Sequence, residues 1–150
     1  MIHIEESIVI HLPIEDVFTY VCDSRNLPQW QTGLLEARQT TDSPAGVGTR
    51  LTYVRIFMGR KMESTCEVVE YELPTKYAYK TTSGPFPVQG SFLFESTAEG
   101  TKLTGAFEMQ AGGFFALAEP LVARSIRRGV EGDLGNLKDL LESRTAGVSS

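Results

Sequence analysis

Between residues 49 and 109 the chain passes through strand-like segments separated only by very short breaks, and that leaves few folds open. The segments are Thr49–Phe57, Lys61–Glu70, Tyr77–Thr82, Val88–Glu95 and Lys102–Met109, and the breaks are "MGR", "LPTK", "SGPFP" and "TAEG". Each break has turn composition. Parallel neighbours need a crossover of roughly a dozen residues or more, which none of these breaks supplies, so successive strands pair antiparallel.

The upstream residues add two further strands. In "IHIEESIVIHL", Ile2, Ile4, Ile8, Ile10 and Leu12 share one face, and His3, Glu5, Ser7, Val9 and His11 the other. Glu6 is the misfit. "PIEDVFTYVCD" then starts a helix at Pro13, with acids in its first turn and Val17, Tyr20 and Val21 at helical spacing. Asn26 and Pro28 break that helix, Gly33 ends a short second one, and "LLEARQT" reads as the next strand.

Near the C-terminus, "GGFFALAEPLVARSIRRGVEGDLGNLKDLLE" reads as one long helix over about Phe114–Glu142. Its second half carries a stripe of Ile126, Val130, Leu134, Leu137 and Leu141. In its first half Phe114, Phe115, Ala116, Leu117 and Ala118 are apolar on every side, and Pro120 then interrupts the ladder. The predicted architecture is α+β: a curved seven-stranded antiparallel sheet wrapped around this helix, with two short helices between strands one and two. It spans residues 1–150 as a single domain, with about 144–150 a frayed tail. Gly90 and Gly105, inside strand patterns, are expected to mark bends.

One helix cannot fill such a sheet along its whole length. Large side chains, the short helices or a ligand must close the remainder. The wholly apolar helix start is expected to lie over a cavity mouth that Trp30, the only tryptophan, also faces. The residues expected to line the cavity are Trp30, Tyr53, Tyr79, Phe92, Phe107, Phe114, Phe115, Leu117 and Leu121. The alternative is that these side chains simply fill a dry core.

Other chemistry finds little support. A net charge of −5 argues against non-specific nucleic-acid binding, and Arg124, Arg127 and Arg128 read as a solvated helix face. No secretory signal is legible, and no apolar run approaches the roughly 20 residues that cross a bilayer. Cys22 and Cys66 read as free, buried thiols in a cytoplasmic protein. His3 and His11 are too far apart along one strand to share a metal. With no nucleophile elbow, GxGxxG or P-loop pattern, neither a covalent mechanism nor a cofactor is expected. Acid–base work in the pocket would fall to Glu119, Tyr53, Tyr79, Arg55 or Glu63, each with a structural role beside it. Glu119 suits a first helical turn, and Arg55 and Glu63 suit a cross-strand pair.

The segments "PIEDVFTYVCDSRNLPQW", "PVQGSFLFESTAEGTKLTGAFEM" and "DLGNLKDLLE" resemble the polyketide cyclase/dehydrase-like branch of the START-related helix-grip superfamily, over about residues 3–143. The resemblance places Trp30 as the aromatic at the cavity mouth. It matches Phe92 and Phe94 to the strand "F-x-F-E", Gly100, Thr101 and Leu103 to the turn after it, and Leu134, Leu137, Leu140 and Leu141 to the packing helix. It implies the same fold and carries over no catalytic residue. Three functions stay open: binding a small hydrophobic molecule (polyketide-like, acyl or isoprenoid), a cyclase or dehydratase acting in the same cavity, and a protein-interaction module without ligand. A homodimer is compatible with each.

Overall fold

The computed structural model describes residues 2–42, 45–57, 59–84, 87–110 and 118–149, with side chains described for the same residues except 57 and 145–149. The elements in chain order are β1 (Ile2–Ile10), α1 (Ile14–Val21), a 3-10 turn (Ser24–Asn26), α2 (Leu27–Trp30), β2 (Leu34–Gln39), β3 (Arg50–Phe57), β4 (Arg60–Glu72), β5 (Lys76–Ser83), β6 (Val88–Thr97), β7 (Gly100–Met109) and the long helix α3 (Glu119–Ser149). The seven strands form one sheet in the order β1-β7-β6-β5-β4-β3-β2. All neighbours are antiparallel, so the chain enters at one edge, crosses through the short helices to the other, and returns hairpin by hairpin. The predicted architecture holds.

The sheet's irregularities do not fall at its glycines. Register shifts occur between Leu34 and Glu36, between Thr65 and Cys66, and between Val68 and Glu70. Extra residues of this kind bend a strand and increase its twist. Pairing runs unbroken through Gly90 and Gly105, so neither glycine marks a bulge. Gly100 serves backbone geometry instead: it turns β6 into β7 at φ 142°, and a Cβ there would lie 2.3 Å from the Ile10 carbonyl oxygen.

The inner face of β1 is the stripe read from the sequence, with Ile2, Ile4 and Ile10 buried. Glu6 belongs to that same face by alternation. Its side chain reaches Arg127 of α3 at 3.8 Å, so one arginine of the expected solvated cluster has a partner on the sheet. On α1, Phe18 is fully buried and meets Phe94 edge-on at 5.0 Å and Tyr71 at 5.4 Å. Leu134, Leu137 and Leu141 of α3 join Ile10, Phe94 and Leu103 in one apolar cluster. Polar ties fix the helix along β1: Lys138 Nζ donates to the Val9 carbonyl at 2.7 Å, and the His11 N–H donates to Glu142 Oε2 at 3.0 Å.

Helix α3 differs from expectation at both ends. It begins at Glu119, with the Leu121 and Val122 N–H groups both donating to the Ala118 carbonyl at 3.0 Å. Pro120 therefore sits in the first turn, where its missing N–H removes no helical bond. At the other end the helix extends to Ser149, past the expected end at Glu142. Arg144 helps to hold that extension, its guanidinium 5.2 Å from the centre of the Tyr20 ring.

Candidate functional site: an internal cavity

Alternation along the strands decides what faces the concave side. Tyr53 and Arg55 on β3, Met62, Ser64 and Cys66 on β4, Tyr77, Tyr79 and Thr81 on β5, Val88 and Phe92 on β6, and Phe107 and Met109 on β7 all line one cavity of about 230 Å³. Each set is spaced by two or a multiple of two, as one face of a pleated strand requires. Trp30 and Gln31 close the cavity from α2 and the residue after it. From α3 come Ile126, Val130, Asp133 and Leu134.

Two glycines keep this space open. Across the sheet the register runs Tyr79–Gly90–Phe107 and, beside it, Tyr77–Phe92–Gly105. A Cβ on Gly90 would stand 2.6 Å from Tyr79 Cζ, and one on Gly105 would stand 3.0 Å from Phe107 Cε2. The rings take up the room the missing side chains leave. Standing upright, they would fill the interior. Edge-on contacts continue along the wall: Trp30 to Phe92 at 6.2 Å, Phe92 to Phe107 at 5.7 Å, and Tyr53 to Tyr79 at 6.5 Å.

Of the residues singled out from the sequence, Trp30, Tyr53, Tyr79, Phe92 and Phe107 come together on this wall. Leu121 does not: it is 69% exposed, because it stands in the first turn of α3 on the side away from Val122 and the sheet. Phe114, Phe115 and Leu117 lie outside the described residues. Glu119 stays in the first turn of α3 and is not part of the lining. The expected Arg55–Glu63 pair does not form. Arg55 stands opposite Met62, while Glu63 stands opposite Val54 on the exposed face, a one-residue offset that puts the two charges on opposite sides of the sheet.

Arg55, one of the acid–base candidates, does line the cavity, but the sequence reading missed its neighbours at this polar end, Gln31 and Asp133. Arg55 Nη2 donates to Gln31 Oε1 at 3.1 Å, and the neighbouring Thr32 N–H donates to Asp133 Oδ1 at 2.8 Å. Two side chains, from β3 and α3, thus hold the loop that follows Trp30. A signal for Asp133 was present. It lies three residues after Val130, on the edge of an otherwise apolar stripe, where a solvated carboxylate has no place.

Burial governs the titration of the lining. Desolvation raises the Asp133 carboxyl above the ordinary carboxylate value, with the Thr32 hydrogen bonds and the Arg55 charge pulling the other way. Desolvation also pushes Tyr79 up to about 12 and the Cys66 thiol up to about 11, and carries Tyr53, Tyr77 and Cys22 well above their usual values. These phenols and thiols are neutral hydrogen-bonding groups at physiological pH. They are poor bases and poor nucleophiles. Both cysteines are free, Cys66 buried and Cys22 only half-buried. Trp30 Nε1–H, shielded from solvent, has no acceptor among the described residues, and such a donor costs about 1–3 kcal/mol.

The Asp133 shift fixes a sign. An acid whose folded-state pKa is raised contributes stability below its unfolded value of 3.8, and that contribution is lost as pH rises through the folded value. Asp133→Asn removes the dependence while keeping an oxygen for the Thr32 N–H. In urea unfolding followed from about pH 4 to about pH 7, the variant is expected to gain on the wild type as pH rises. A constant difference across that range would show that Asp133 is not desolvated.

Comparison with known proteins agrees with this geometry. The sequence profile of the family described as "Polyketide cyclase / dehydrase and lipid transport" matches residues 1–142. No curated protein sequence matches the chain. Among solved structures, the protein TTHA0849 from Thermus thermophilus superposes with a TM-score of 0.82 at 22% identity, over 99% of each chain. The di-domain ARO/CYC StfQ from the steffimycin biosynthetic pathway gives 0.80 at 16% identity, over 97% of this chain and 52% of that one, so the present chain spans about half of it. Ara h 8.0201 gives 0.71 at 16% identity, over 94% and 97%. At these identities the likeness is one of fold.

Proposed function

The chain belongs to the polyketide cyclase/dehydrase and lipid transport family, and on that premise we propose that it binds a small hydrophobic molecule inside the curved sheet. The observation that carries this reading is the aromatic-walled cavity of about 230 Å³ with polar groups gathered at one end. Its volume lies below the roughly 300–1,000 Å³ usual for drug-sized ligands, which favours a compact molecule of two or three rings over a long acyl chain. Such a ligand gains about 25 cal/mol for each Å² of apolar surface withdrawn from water. Trp30, Tyr53, Tyr79, Phe92 and Phe107 supply that contact surface.

A second reading, an enzyme of cyclase or dehydratase type, is favoured by the convergence of Arg55, Gln31, Asp133 and neutral phenols on one apolar space. The Arg55 guanidinium and the phenols are donors that polarise a carbonyl oxygen of a bound substrate, and the raised phenol values keep their protons in place for it. We place the protein in the cytoplasm on the strength of its two free thiols. Among the described residues no helix is long and apolar enough to cross a membrane.

Trp30 is the only tryptophan, so its emission reports on the cavity alone. Titration with two-ring and three-ring aromatic ketones is expected to quench or shift that emission in a saturable way. Calorimetry on the Trp30→Phe variant, which keeps a ring at the site, should show weakened binding with the fold retained. Binding of none of these compounds by either method would leave the protein-interaction reading in its place.

A further inference from the structure

The charges around the cavity bear on what it accepts. Among its lining residues, Arg55 carries the one positive side chain and Asp133 the one negative side chain. The undescribed side chains add nothing to this inventory, because none of residues 1, 43–44, 57–58, 85–86, 111–117 and 145–150 has an ionisable side chain. Arg55 is already engaged by Gln31 Oε1 at 3.1 Å, and its charge acts on Asp133. The remaining polar lining is uncharged: the hydroxyls of Tyr53, Tyr77, Tyr79, Ser64 and Thr81, the thiols of Cys22 and Cys66, the Gln31 amide and the Trp30 indole N–H. The cavity is therefore polar at one end yet balanced in charge.

From this we infer that the ligand is an electrically neutral ring compound with a carbonyl or hydroxyl oxygen, and that the cavity rejects carboxylates. The inference rests on the cavity-binding reading. A carboxylate entering the space must leave water, and an unpaired buried charge is expensive. The one cation that could compensate it is shared with Asp133, whose own negative charge repels the newcomer. A ketone or phenol meets no such barrier, because phenols and an amide can satisfy its oxygen. The aromatic walls favour flat rings, which stack or meet edge-on, over flexible chains that lose more freedom on confinement.

The test uses three probes of nearly the same shape: 2-acetylnaphthalene, methyl 2-naphthoate and 2-naphthoate, titrated into the intact protein at pH 7 by calorimetry. The ketone and the ester are expected to bind with similar affinity, and the carboxylate at least about tenfold more weakly. Asp133→Asn leaves Arg55 uncompensated, so the preference for ketone over carboxylate should collapse or invert. Arg55→Met should widen it. The wild-type comparison stands by itself if either variant folds poorly. Equal binding of ketone and carboxylate by the wild type overturns the inference while leaving the cavity as a binding site. A preference that Asp133→Asn does not change also overturns it, since the discrimination would then come from shape. Binding of none of the three probes would remove the cavity-binding reading itself.

Discussion

Leu137→Ala should destabilise the fold by about 2–5 kcal/mol, the range for deleting a large buried aliphatic side chain. Leu137 is 0% exposed and sits in the cluster that joins α3 to Ile10, Phe94 and Leu103. Its neighbours cannot readily close the gap. β1 is tied to β7 through a full antiparallel register, and α3 is held along β1 by Lys138 and Glu142. The loss should appear as a lower urea midpoint with an unchanged slope. A cost below about 1 kcal/mol would mean that this part of α3 does not form the seam between helix and sheet.

Gly90→Val should nearly abolish ligand binding while the protein still folds. The position has no side chain, and even a Cβ would meet Tyr79 Cζ at 2.6 Å, so the phenol ring must leave its place against the sheet. The cavity is the open space beside that ring. Overpacking of this kind costs about 1–3 kcal/mol of stability. Its effect on binding is larger, because the displaced ring occupies the volume the ligand needs, and affinity for 2-acetylnaphthalene should fall at least about tenfold. Gly132→Ala on the exposed face of α3 is the control: a Cβ there meets nothing within 4 Å. That change should leave binding alone and add about 0.5–1 kcal/mol through helix propensity. Unaltered binding in Gly90→Val would show that ligands lie elsewhere than against Tyr79.

How much of this was legible in advance depends on the range of the interactions involved. Alternation in "IHIEESIVI" and the short breaks after residue 49 were enough to establish strands, antiparallel pairing and the seven-stranded sheet, because both signals act between near neighbours in the chain. The leucine stripe of α3 was equally plain, and Leu134, Leu137 and Leu141 are buried as its spacing requires. Four aromatic members of the cavity wall, Tyr53, Tyr79, Phe92 and Phe107, were found the same way, as large residues alternating with polar ones along strands, and Trp30 as the lone tryptophan after a helix-breaking proline.

Register and helix placement were beyond that reach. Whether Arg55 faces Glu63 or Met62 turns on a single residue of offset between β3 and β4, which is set by which face of each strand turns inward. That Gly90 makes room for the Tyr79 ring follows only from the register, which sets the two directly opposite although they are eleven residues apart in sequence. The polar end of the cavity depends on contacts still more remote: Asp133 meets Thr32 across 101 positions of chain. By itself the sequence determined the strands, the sheet they form and the stripe that packs on it, because periodicity and turn chemistry are local. Tertiary structure alone decided the cavity and its charge balance, because both depend on which distant residues share one small, desolvated space.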